Sequence, residues 1–203
     1  NAYLRYAKED IMKFNVRTIC MIAMLTAVTS VLSIMQIPTP WGVPFTLQTA
    51  AMALSGYLLG EKYGTVSTIL YVLLGTIGVP VFAGMSAGPG VLFGATGGYI
   101  FGFVFMTLLC GIGRAHMKKG AAGVVWLVVF SALGLAACHI LGIIQFKFVA
   151  KMTWANAALV GSVPYLLKDI ASMIGAYIVA VAIRQALKST SLFDWENKNK
   201  ANA

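Results

Sequence analysis

The chain holds 203 residues, 59% of them hydrophobic and 10% charged, with a mean hydropathy of +0.83. That balance excludes a water-soluble domain and leaves room for about six bilayer-crossing segments of roughly 17–25 residues each. The net charge of +9 invites a nucleic-acid reading, but the placement of the charges, set out below, reads as membrane topology instead.

Asn1 to Phe14 reads as an amphipathic lead-in at the cytoplasmic surface. The first apolar run is full span length and lacks a clear small-residue cleavage site, so it is expected to stay as span 1, about Arg17 to Gln36. The loop IPTPWGVP follows, held extended and turned by Pro38, Pro40 and Pro44. Span 2 is short, about Phe45 to Leu59. GEKYG is a tight turn into span 3, about Tyr63 to Val79.

Next comes VPVFAGMSAGPGVLFGATGGYIFGF, in which Gly84, Gly88, Gly90, Gly94, Gly97, Gly98 and Gly102 crowd together. Prolines and glycines break any helix through its first half. From Gly94 the pattern turns helical, with Gly94, Gly98 and Gly102 on one face, and span 4 runs to about Ile112. Irregular backbone at membrane depth survives where it is buried in protein or lines a cavity. This stretch therefore reads as a lid or pocket wall for a small molecule, against the plainer reading of a connecting loop.

RAHMKKG is a polar break, and span 5 covers about Ala121 to Ile144. QFKFVAKMTWANAA is read as a loop before span 6, about Leu159 to Ala186. Residues 1–188 thus form one six-helix membrane domain, and 189–203 a polar tail.

Lys and Arg placement sets the orientation. Arg5, Lys8, Lys13, Arg17, Lys62, Arg114, Lys118, Lys119, Arg184, Lys188, Lys198 and Lys200 fall on one side. The opposite side carries Lys147 and Lys151. Both termini are therefore expected in the cytoplasm, with the basic side against the lipid bilayer. The long, irregular, aromatic loops then face outward, and a site built from them opens outward.

Lys168 and Asp169 are adjacent charges inside an apolar span. Ionisable groups there are costly and mark functional sites by default. Sequence neighbours point about 100° apart on a helix, so the two are not expected to pair. Tyr165, Asp169, Ser172 and Ala176 share a stripe. Asp169 could accept from N–H donors of a neutral ligand. The alternative is that Lys168 snorkels to the interface and Asp169 bonds another helix. Gln48, in PFTLQT at the start of span 2, would suit a urea, amide or carboxylate, or an interhelical bond. His139, inside span 5, reads as a satisfied structural group. His139, Asp169 and Ser172 name the atoms of a hydrolase triad, but nothing places them together and no GxSxG is present. Ala23 and Ala27 form a small-xxx-small pair, which lets another helix approach closely.

Cys20, Cys110 and Cys138 lie in separate spans, which gives neither a disulfide framework nor a metal set; they read as packing residues. GxxxxGK[ST], HExxH and CxxC do not occur, so neither an ATP loop nor a catalytic or metal motif is legible. No cofactor is called for. No inverted repeat is visible, which counts against an ion-coupled carrier.

PFTLQT, then LGEKYGTVSTILYVLLGTIGVPVFAG, then GVLFGATGGYIFGF, resemble the BioY family, the biotin-specific substrate-binding membrane subunits (S components) of energy-coupling-factor (ECF) transporters. The resemblance runs from span 1 to span 6. It implies an all-α S-component-like bundle of six transmembrane helices that holds the vitamin near the outer face. The loop between spans 3 and 4 would close over it. It implies a bacterial plasma membrane, a membrane-embedded coupling protein (T component) and two ATPase subunits. The AxxxA face carried by Ala23 and Ala27 would meet the coupling protein. The chain itself is then no enzyme.

Two positions depart from the family pattern. GPTGGY is here Gly94 to Tyr99 with Ala95 in place of proline. PFxPGDxxK keeps its carboxylate as Asp169 but has Ser172 where the family has Lys, with a Lys at 168 instead. On this reading Asp169 and Gln48 take a ureido ring. Phe45, Phe82, Tyr99 and Tyr165 pack the bicycle, and Gly84 and Ser172 are counted with them as substrate-binding residues. Lys168 meets the carboxylate. The alternatives are the same architecture for another small acid, such as lipoate or a biotin precursor, and a solitary permease. Ligand competition separates the first, and uptake without ATPase partners the second.

Overall fold

The structure is a computed structural model that describes residues 16–40, 43–117, 121–188 and 190. The lead-in at residues 1–14, the cations Arg5, Lys8, Lys13, Lys118, Lys119, Lys198 and Lys200, and nearly all of the tail lie outside the described residues.

Among the described residues, seven α-helices, one 3-10 turn and a short strand pair follow in order. They are α1 (Val16–Ile34), β1 (Gln36–Ile37), β2 (Phe45–Thr46), α2 (Gln48–Thr76), the 3-10 turn (Ala83–Met85), α3 (Pro89–Phe93), α4 (Gly97–His116), α5 (Ala121–Ala150), α6 (Trp154–Gly161) and α7 (Val163–Ala186). Four of them, α1, α4, α5 and α7, are long and apolar enough to cross a membrane.

The expected spans 2 and 3 are the two arms of α2. Gly60 breaks it with φ +80° and ψ −176°, a conformation essentially reserved for glycine that costs a side-chain-bearing residue roughly 1–3 kcal/mol. The arms run antiparallel. Gln48 Nε2 donates to the Tyr71 hydroxyl (2.9 Å), Thr68 meets the Met52 sulfur (3.6 Å), and a methyl at Gly64 would lie 2.6 Å from the Ser55 carbonyl. Each arm is shorter than the roughly 17 residues of a full bilayer span.

Several boundaries differ from the sequence reading. Phe45 and Thr46 are not the start of span 2; they pair as a strand with Ile37 and Gln36, because Pro44 and Thr46 keep the chain extended into the helix at Gln48. Span 4 starts at Gly97, so Gly94 belongs to the preceding turn and not to the helical glycine face. Gly98 and Gly102 do form that face: methyl groups there would meet the Leu141 carbonyl at 2.2 Å and the Cys138 Cα at 2.6 Å. Span 5 continues through QFKFVA to Ala150, since that run contains no Gly or Pro to stop it. Span 6 starts at Val163, with Pro164 in its first turn. The residues between form a separate helix, α6, whose first turn is capped by Thr153 accepting from the Asn156 amide (3.3 Å).

Hydroxyls fasten α1 to α2. Thr26 Oγ1 lies 3.1 Å from Ser67 Oγ and donates to the Ile22 carbonyl (2.9 Å). Thr29 Oγ1 lies 3.4 Å from Ser55 Oγ. Where lipid surrounds the bundle, such bonds and close packing replace the hydrophobic drive between helices. Cys110 and Cys138 are packing residues as expected, but Cys20 is not: it sits on the exposed side of α1.

Candidate functional site

A cavity of about 240 Å³ opens at the end of the bundle where α7 begins. That is a little under the roughly 300–1,000 Å³ usual for small-molecule sites. Its walls come from five parts of the chain. These are the β1–β2 segment (Gln36, Val43, Pro44, Thr46), the start of α2 (Gln48, Thr49), the glycine-rich stretch (Phe82, Ala83, Ser86, Val91), α4 and its N-cap with α5 (Thr96, Tyr99, Ile100, Phe103, Cys138, His139), and α7 with the end of α6 (Gly161, Tyr165, Lys168, Asp169).

Of the residues singled out in the sequence, Gln48, Phe82, Tyr99, Tyr165, Lys168 and Asp169 line this cavity. Phe45, Gly84 and Ser172 do not. Phe45 stands behind Tyr165, their rings 4.6 Å apart. Gly84, with φ +64°, lies under the Gln36 side chain, and a methyl there would be 2.1 Å from Gln36 Nε2. Ser172 is half-buried, one turn further along α7. Ala23 and Ala27 are exposed on α1.

Each pocket wall is pinned by a polar bond. Tyr165 donates its hydroxyl proton to the Val43 carbonyl, tying α7 to the loop before β2. Tyr99 donates to the Gly161 carbonyl (2.5 Å), tying α4 to the end of α6. Thr46 Oγ1 donates to Gln48 Oε1 (3.2 Å), so with Tyr71 on its nitrogen the Gln48 amide is held in one orientation. Gln145, on α5, donates from one Nε2 to the carbonyls of Leu92 (2.6 Å) and Gly94 (2.8 Å), pinning the end of α3.

The charged floor differs from the sequence expectation. Lys168 and Asp169 do pair: Lys168 Nζ lies 2.5 Å from Asp169 Oδ1 and also donates to the Thr46 carbonyl (2.9 Å). The long lysine stem spans the 100° between neighbouring positions and bends back over Asp169. The lysine side chain is 26% exposed and the aspartate 6%, so the cation sits nearer the mouth. A buried carboxylate beside a cation keeps its charge, where an unpaired one would be costly.

His139 belongs to the same group. Its Nε2 lies 3.2 Å from Asp169 Oδ2, and its Nδ1 lies 2.9 Å from Ser162 Oγ. The sequence reading had set it aside as structural. The hydroxyl joining it is Ser162, not the Ser172 of the imagined triad. A lone His in an apolar helix carries no signal of the face it presents, and only the packing of α5 against the start of α7 discloses it.

A model of the BioY family matches residues 7–189. The chain belongs to the BioY family. It is 38% identical over 143 residues to the biotin transporter BioY of Thermotoga maritima, covering 70% of this chain and 82% of that protein. A probable biotin transporter BioY of Pyrococcus horikoshii is 34% identical over 166 residues, covering 81% of this chain and 94% of that one. Among solved structures, the S-component for biotin from an ECF-type ABC transporter superposes with a TM-score of 0.73 at 25% identity, over 84% of this chain and 92% of the other. These relatives are transporters, and this BioY-family chain is a helical membrane protein with an S-component-like fold.

Proposed function

We propose that this chain is the biotin-binding S component of an ECF-type transporter, a multi-pass protein of the bacterial plasma membrane. The carrying observation is the Lys168–Asp169 pair in a cavity of mixed polar and apolar lining, one wall of which is the glycine-rich stretch. Biotin offers an N–H-bearing urea, an apolar bicycle and a terminal carboxylate. Asp169 and Gln48 supply acceptors and donors for the urea. Phe82, Tyr99 and Tyr165, the last backed by Phe45, supply apolar walls. Lys168 answers the carboxylate. The urea and the carboxylate sit at opposite ends of the ligand. Lys168 therefore leaves Asp169 on binding and swings toward the mouth, a move its flexible stem allows.

In this reading the two arms of α2 count as two of six passes, and the termini face the cytoplasm. The chain has no ATP loop, so energy comes from outside: a T component docking on the Ala23–Ala27 face of α1, and two ATPase subunits. Binding itself needs none of them. Purified protein in nanodiscs, titrated with biotin by calorimetry, is expected to bind at micromolar concentration or tighter. Affinity no better than millimolar would end the assignment. Lipoate and biotin precursors, run as competitors, distinguish another small acid as the ligand.

A further inference from the structure

The geometry points to His139 as the group that reads the urea oxygen of the ligand, with Asp169 reading the neighbouring N–H. This deepens the proposed biotin reading and rests on it.

Besides Ser33 Oγ, two buried side-chain polar atoms among the described residues lack a hydrogen-bond partner: His139 Nε2 and Asp169 Oδ1. Both residues line the cavity. Their neighbours in the cavity are ion-pair contacts, Lys168 Nζ at 2.5 Å from Oδ1 and His139 Nε2 at 3.2 Å from Asp169 Oδ2. Buried polar groups are nearly always satisfied, so a pair of orphans in one cavity calls for a third party.

Which of the two atoms donates follows from their surroundings. A bare lone pair on Nε2, 3.2 Å from a carboxylate oxygen, would be repelled, so Nε2 carries the proton. Nδ1 then accepts from the Ser162 hydroxyl at 2.9 Å. Ser162 precedes α7 as its N-cap, yet its side chain makes no capping bond; the hydroxyl is committed to the histidine instead. A serine at that position ordinarily stabilises its own helix. Here it fixes a ring and a tautomer.

The result is a donor, Nε2–H, beside an acceptor, Oδ1, in one wall. A cyclic urea presents the complement on one edge, a C=O next to an N–H. The carboxylate serves only the N–H; the His139 donor, beside the Gln48 amide, gives the oxygen its partner and removes the penalty of burying it unmet. The same wall discriminates against a ring whose oxygen is replaced by a second N–H group.

The test compares biotin with 2-iminobiotin, whose guanidinium keeps the N–H groups but has no acceptor oxygen. Both are titrated into nanodisc-reconstituted wild type, His139→Ala and Ser162→Ala. His139→Ala is expected to weaken biotin by about tenfold or more, the worth of one buried hydrogen bond. It should leave 2-iminobiotin within about threefold. Ser162→Ala, which keeps the ring but frees it, should move the ratio the same way by a smaller factor, and stands in if His139→Ala does not fold. An equal loss for both ligands assigns His139 a structural role and overturns the inference, as does no loss for either or a larger loss for 2-iminobiotin. Wild type that fails to bind biotin at all overturns the parent reading first.

Discussion

The ring of Phe82 lies directly on the backbone of Gly75, so close that a methyl group at residue 75 would come within 2.2 Å of the ring Cζ. Gly75 is in the last turn of α2, and Phe82 is fully buried and lines the cavity. The Gly88 amide also donates to the Gly75 carbonyl (2.7 Å), so one residue seats two parts of the glycine-rich stretch. Gly75→Ala is therefore expected to push Phe82 into the cavity. Overpacking of this kind costs about 1–3 kcal/mol. A thermal-shift assay should show a lower midpoint, and calorimetry weaker biotin binding; unchanged affinity would mean that Phe82 is not seated as described.

Asp169 holds Lys168 on one side and His139 on the other. Asp169→Asn keeps the shape and removes the charge, leaving the ammonium without its counter-ion. Breaking a buried pair costs about 3–5 kcal/mol. Biotin affinity should fall by roughly a hundredfold or more. The double variant Lys168→Met with Asp169→Asn should recover thermal stability without recovering affinity. Retention of wild-type affinity in the single variant would remove Asp169 from the ligand's contacts.

Gln145 is the bolt on the roof. Its two bonds to Leu92 and Gly94 are the side-chain bonds holding α3 to α5 among the described residues. Gln145→Leu leaves both carbonyls without that donor, at about 0.5–1.5 kcal/mol per bond. The ligand should leave about tenfold faster, read by stopped-flow competition. Backbone amides in residues 89–94 should exchange faster with solvent deuterium. A wild-type off-rate would show that ligand exit uses another route.

Ala23 and Ala27 face outward while Thr26 and Thr29, between and beyond them, face α2. Tryptophan at either alanine leaves the cavity untouched. Biotin binding by the isolated protein should stay within about twofold. Uptake in cells or vesicles containing the coupling protein and ATPases should be lost. Loss of binding as well would place this face in the fold rather than in docking.

Much of the site was legible because its residues break local rules. Two charges in an apolar helix, a proline starting that helix, and an amide at a span end are anomalies that sequence alone displays. Aromatic residues such as Phe82 and Tyr99 were reached by family resemblance. His139, Ser162 and Gln145 were not identified as parts of the site, for a shared reason. Each does its work through a partner on another helix, and nothing local distinguishes a working serine at Ser162 from an idle one at Ser172. The fold followed the same divide. The order of helices and the reversal at Gly60 follow from apolar runs and turn residues. The run of α5 to Ala150 does not, because its aromatic end resembled a loop while obeying helical propensity. The strand pair at Gln36 and Phe45 is set by tertiary contact across a proline-rich turn.

One further consequence lies in how α1 ends. Two residues beyond its last turn, Gln36 rests its amide on Gly84. The helix whose alanines are proposed to dock a neighbouring protein is thus only a short step of backbone away from the wall of the cavity. α1 also packs directly against the 3-10 turn, so a tilt imposed on that rod from the side reaches Gly84 both through that packing and through Gln36, making α1 a lever whose short arm bears on the cavity wall.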